Sequence, residues 1–133
     1  MTDRDTFISH AIQGLEKYGC CKERLFPYHA ANKNKKPPQE CYNEAKNYCV
    51  ASAMAINTRL NEMKACLAEG YPFAFGVTVY PSFSRAEYNG GRVPTPSSYE
   101  IRRIAPVGGH AMLAVGYSDA SQCFIVRNSY GPE

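Results

Sequence analysis

Gly108-Gly109-His110-Ala111-Met112-Leu113-Ala114-Val115-Gly116-Tyr117, followed by Cys123-Phe124-Ile125-Val126-Arg127-Asn128, decides how this chain is read. Ala111 to Tyr117 and Cys123 to Arg127 are apolar, β-prone runs of strand length. Ser118 to Gln122 between them has the composition of a hairpin turn. His110 stands at the head of the first run and Asn128 at the tail of the second. In an antiparallel hairpin the start of one strand lies beside the end of the other, so the pattern predicts that His110 and Asn128 are neighbours. A carboxamide oxygen there accepts the imidazole N–H and fixes tautomer and ring orientation without adding a charge. That arrangement suits a cysteine nucleophile. A thiolate–imidazolium pair is already ionised, and a neutral orienting group is enough for it.

Working upstream, Phe73 to Tyr80 alternates, with Phe73, Phe75, Val77 and Val79 on one parity, and reads as a third strand. Pro81 to Glu100 is rich in Gly, Pro, Ser and Asn and reads as a long surface loop. Thr58 to Glu69 reads as a helix capped by Thr58 and ended by Gly70, with Leu60, Met63 and Leu67 on one face. Cys41 to Ala55 fits either a helix or an extended segment leading into one. Asn32 to Gln39, with Lys33, Lys35, Lys36, Pro37 and Pro38, is a solvated basic loop. Glu23 to Tyr28 reads as extended, with Pro27 holding Phe26 out of helical space. Asp3 to Tyr18 carries an apolar stripe at helical spacing; Asp3 or Asp5 caps it and Gly19 ends it. Helices come first and antiparallel strands follow, which is an α+β order with no βαβ alternation and no glycine-rich phosphate loop.

Gly109 to Tyr117 resembles the histidine motif of the papain-like (C1) cysteine peptidases, and Phe124-Ile125-Val126-Arg127-Asn128-Ser129-Tyr130-Gly131 resembles their asparagine motif. Tyr18 to Tyr28 is similar to the family's Gly…Glu…Pro-Tyr segment, and Leu67 to Phe73 to the helix end and first strand of its second lobe. Val79-Tyr80-Pro81-Ser82-Phe83 resembles the bacterial-type branch more than the cathepsin branch. The resemblance implies a partial papain-like fold over residues 1–133, helices of the first lobe followed by an antiparallel sheet of the barrel-like second lobe. It implies that His110 is the general base and Asn128 its orienting partner. Tyr130 stands where the family usually has the Trp that shields this pair, a smaller ring with a hydroxyl. Gly109, Ala111 and Gly76 are implied as substrate-binding positions. The last two line the pocket for the side chain two residues before the cut, and both are small.

In papain-like enzymes the His and Asn follow the catalytic Cys by roughly 130–150 residues, and His110 stands too near residue 1 for that. The expected nucleophile and oxyanion segment is therefore placed upstream, and the family's closing Trp-Gly segment downstream. The activity expected is peptide-bond hydrolysis by a cysteine-type peptidase, of which this stretch is a piece lacking the nucleophile and inactive alone. The alternative is a non-catalytic papain-like module that binds peptides or regulates a partner.

The remaining numbers bound these readings. A chain of 133 residues, 44% hydrophobic and 20% charged, suits one globular domain. A net charge of +3 does not point to nucleic acid. No apolar run approaches the ~20 residues of a membrane span, and Met1 to Asp5 does not read as a secretory signal. Compartment stays open. The partners expected are a peptide or protein substrate and the missing N-terminal part of the same fold. The six cysteines, Cys20, Cys21, Cys41, Cys49, Cys66 and Cys123, show no zinc-ligand spacing. Their pairing is not readable, and no metal or cofactor is expected.

Overall fold

The computed structural model describes residues 6–130, in two compact units, Met1–Ile56 and Asn57–Glu133. The first unit is helical. Helix α1 covers Ile8–Tyr18 and starts after an extended Phe7 that makes no side-chain cap. Asp3 and Asp5, the expected caps, lie outside the described residues. Gly19 ends the helix as expected, at φ +74°, donating its N–H to the Leu15 carbonyl at 3.0 Å. A Cβ on Gly19 would stand 1.9 Å from the Ala45 carbonyl oxygen, so this position needs glycine for room as well as for conformation.

Glu23 to Tyr28 differs from the extended reading: Glu23–Leu25 is a 3-10 turn. Phe26 then leaves helical space, at φ −145° and ψ 78°, because the ring of the following proline crowds it. Ala30–Asn32 is a second 3-10 turn, in which His29 Nδ1 accepts the Ala31 N–H. The ambiguous stretch resolves into helix α2, Gln39–Ala45, beginning directly after Pro38, and irregular backbone beyond it. Cys41 and Ala45, one helical turn apart, are the buried side chains of α2. Glu44 on the same helix accepts the backbone N–H of Lys22 at 2.9 Å and pairs with its ammonium at 3.4 Å.

The second unit holds helix α3, Leu60–Ala68, and a three-stranded antiparallel sheet. Helix α3 starts after an extended Arg59 without a side-chain cap, so Thr58 does not cap it; Gly70 follows its end at φ +88°. Strand β1 is Phe73–Val79, half-buried at odd positions and exposed at even ones. Strand β2 is Gly108–Ser118 and β3 is Cys123–Arg127, in the order β1-β2-β3. Strand β2 begins earlier than the apolar pattern predicts, because Gly108, Gly109 and His110 pair with Val79, Thr78 and Val77. Between β2 and β3 the register shifts at Val115, a bulge that leaves one β2 residue without an opposite number. Ala114, just before the bulge, is 1% exposed and forms the centre of this unit's small core. Helix α3 packs on β2, and Lys64 reaches from it to Asp119 in the hairpin turn, passing over the Tyr117 ring.

Pro81 to Glu100 is not a bare loop. Pro81–Tyr88 is 3-10 helical, and Ser98–Arg103 is a short helix, α4. Ser97 and Glu100 form a capping box at its start. Ser97-x-x-Glu100 is the sequence signature of such a box, set inside a stretch of loop-like composition.

Candidate functional site

His110 is the third residue of β2 and faces Val77 across the ladder. At this end β2 pairs with β1 alone, because β3 ends with Arg127 opposite Leu113. Continuing that register places Asn128 opposite Met112, which shares a sheet face with His110. The carboxamide crosses this diagonal, and His110 Nε2 lies 2.8 Å from Asn128 Oδ1. The two residues are neighbours, as the hairpin predicts, through a same-face diagonal and not a directly opposed pair.

The neighbouring backbone sets the chemistry of this contact. Ser129 donates its N–H to Asn128 Oδ1 at 2.9 Å. A backbone N–H can only donate, so the amide atom turned inward is oxygen. The nitrogen of His110 that meets this oxygen must carry the proton. The imidazole is therefore held as the Nε2–H tautomer, and Nδ1 is its basic nitrogen.

Two aromatic rings complete the surroundings of His110. Tyr130 stacks on the imidazole, with centroids 5.1 Å apart and planes at 20°. It remains 71% exposed, so it covers one face of the ring without sealing it. Phe83 meets the imidazole in an edge contact at 6.0 Å and 84°. Sequence reasoning gave Phe83 no part in the site. It comes from the 3-10 segment Pro81–Tyr88, in which Ser82 donates its N–H to Glu100 Oε1 at 2.9 Å. Glu100 was also missed. Its carboxylate is buried and is held below the usual carboxylate range, mainly by the Ser97 backbone N–H, against burial, which acts the other way.

The substrate-binding candidates fall elsewhere on the sheet. Gly76 and Ala111 are directly opposed in the ladder, both exposed, on the face away from the His110 side chain. Gly109 pairs with Thr78, and a Cβ there would make only a contact of 4.0 Å with the Val77 carbonyl oxygen. The fold does not itself require glycine at that position.

None of the six cysteines is in a disulfide. Burial is the main influence on the Cys41 thiol and pushes it up, which disfavours the thiolate. In the second unit, Cys66 and Cys123 donate to the backbone carbonyls of Tyr71 and Ser121 at 3.3 and 3.2 Å. Among the described residues no three or more His, Cys, Asp or Glu side chains are grouped to hold a metal ion, and no helix is long and apolar enough to cross a membrane.

Comparison with known proteins gives this geometry its context. The profile of the papain family cysteine proteases matches residues 5–133. A peptidase C1-like protein of Acanthamoeba polyphaga mimivirus is 36% identical over 97% of this chain and 43% of its own length. Among solved structures, xylellain, a cysteine protease from Xylella fastidiosa, superposes with a TM-score of 0.81 at 35% identity. That match covers 95% of this chain and 50% of xylellain. The chain thus spans about half the length of these relatives.

Proposed function

The chain belongs to the papain family of cysteine proteases, and on that premise we propose that residues 1–133 carry the His–Asn half of a cysteine-type peptidase active site. The observation that carries this reading is the His110–Asn128 contact with its Ser129 lock, which presents Nδ1 as the free base. The thiol nucleophile and the oxyanion donors are assigned to a segment outside these residues. The chain's span of about half its relatives supports that assignment.

In this mechanism His110 Nδ1 takes the thiol proton, and the thiolate adds to a peptide carbonyl. The imidazolium then gives the Nδ1 proton to the leaving amine, and a thioester remains. His110 next removes a proton from water, which attacks the thioester and releases the acid. Asn128 keeps the ring in one orientation throughout, and Tyr130 limits water at the Nε2–H bond. Gly109, Ala111 and Gly76 are assigned to substrate contact.

The test begins with the coding sequence on both sides of this reading frame. An upstream Gln and Cys segment is expected. In the intact protein, His110→Ala should lower kcat for peptide hydrolysis by roughly 10⁴-fold or more, and Asn128→Ala by about 100-fold through misorientation of the base. Wild-type turnover in His110→Ala, or turnover indifferent to a thiol-directed inhibitor, would overturn the assignment.

The alternative is a peptide-binding or regulatory module, in which the second unit's own cysteines, bonded to backbone carbonyls, take no part in chemistry. An intact protein without an upstream cysteine that binds peptides and never cleaves them would establish it.

A further inference from the structure

Asn128 and Tyr130 reach His110 from the end of β3, so the sheet itself places them. Phe83 does not belong to the sheet. It sits in the 3-10 segment that leaves β1, and its own N–H is satisfied locally by the Tyr80 carbonyl at 2.9 Å. The residue before it is tied to a separate element. Ser82 is 4% exposed, and its backbone N–H donates to Glu100 Oε1 at 2.9 Å.

Glu100 lies on α4, a separate element. Its second oxygen, Oε2, accepts the Ser97 N–H at 3.1 Å and the Ser97 hydroxyl at 3.3 Å, while the Ser97 Oγ accepts the Glu100 N–H at 3.2 Å. A capping box needs only one carboxylate oxygen. Here the other is spent on a backbone group 18 residues earlier in the chain. Bonds from backbone N–H groups to a carboxylate are charge-assisted and directional. A carboxylate bridging two segments in a buried setting therefore fixes their separation more tightly than a helix cap alone.

We propose that Glu100 is a positioning residue for His110: by tying Ser82 to α4 it seats Phe83 against the imidazole edge. The proposal deepens the reading of His110 as the base and rests on it for its functional meaning. Glu100 touches neither His110 nor a reacting atom, and acts through Phe83.

The experiment reads ring geometry in the whole chain, so it needs no turnover. The side chain of His110 is followed by NMR in an isotopically labelled sample. Phe83→Ala defines the full displacement of the His110 ring-proton resonances that the Phe83 ring current causes. Glu100→Ala should reproduce more than about half of that displacement and weaken the Phe83–His110 ring cross-peaks. The double variant should match Phe83→Ala alone, because residues acting through one contact do not add. Glu100→Gln keeps an acceptor for Ser82 but loses one for Ser97, and should give a smaller displacement of the same sign.

A folded Glu100→Ala or Glu100→Gln protein with wild-type His110 resonances would overturn the proposal. So would a double variant in which the two effects add. Unfolding of both Glu100 variants with Phe83→Ala folded would overturn it too, since Glu100 would then hold the whole unit and not the Phe83 wall. The ¹⁵N shifts of the same imidazole report its tautomer separately. An Nδ1–H tautomer would count against His110 as the base while leaving the Glu100–Phe83 coupling readable.

Discussion

Among the described residues two α-helices run into a glycine with positive φ, Gly19 after α1 in the first unit and Gly70 after α3 in the second. Both look alike in sequence, and they serve different ends. Gly70 has open space where a Cβ would go, so only its backbone conformation favours glycine. Gly19 lies against the exit of α2, where a Cβ would meet the Ala45 carbonyl oxygen and carbon at 1.9 and 2.7 Å. Around it the first unit is crossed by separate links, among them Cys20 N–H to the Tyr48 carbonyl at 3.1 Å, Val50 N–H to the Leu15 carbonyl at 3.3 Å and the Lys22–Glu44 contact. The second unit is held by a ladder that continues over two strand pairs. A unit built on isolated crossings concentrates its stability at a few atoms, while a ladder distributes it.

Substitution at the two glycines is the sharpest way to break this contrast. Gly19→Ala should cost about 3 kcal/mol, combining strain at positive φ with displacement of the Ala45 carbonyl. Gly70→Ala should cost about 1 kcal/mol, the conformational part alone. Denaturant titrations of both variants measure the gap. Equal losses would mean that the close approach at Gly19 relaxes freely and that the first unit is not concentrated there.

Acid should produce a gentler, shared effect. Glu44 in the first unit and Glu100 in the second are both held below the usual carboxylate range, chiefly by backbone N–H groups, of Lys22 and Ser97 respectively. A folded-state pKa below the unfolded value of 4.5 means that the stabilisation is fully present above that pH. It is lost as pH falls through each group's lower folded value. Stability measured from pH 6 downward should therefore decline on the acid side of 4.5. Glu44→Gln should flatten the decline reported by the first unit and leave the second unit's unchanged. An unaltered acid limb in that variant would show that Glu44 contributes nothing there.

The legible parts of this chain were those whose signal repeats or is local. The alternation of Phe73 to Val79 marks a strand half-buried on one parity. The two apolar runs flanking a turn were enough to bring His110 and Asn128 together. Helix starts were less legible. Thr58 is a good capping residue, yet α3 begins beyond it, after an extended Arg59, and the hydroxyl has no role there. The stretch from Pro81 to Glu100 was lost for another reason. Its prolines and glycines describe where the backbone turns, while Glu100 reaches back 18 residues to the Ser82 N–H. Ser97-x-x-Glu100 signals the local cap, but no local pattern reports the reach to Ser82 or the place of Phe83 beside His110.

The bulge at Val115 has a consequence for how this hairpin tolerates change. A β-sheet distinguishes odd from even, since successive side chains take opposite sides. Were Val115 paired in the ladder instead of bulged out, the register at the turn, where Ser118 meets Cys123, would run on and set Asn128 opposite Leu113. Its amide would then be aimed at the sheet face that His110 does not use. Removing Val115 would therefore leave a regular ladder with Asn128 still opposite Met112, whereas a ladder that kept Val115 and paired it would reverse the parity and part the pair.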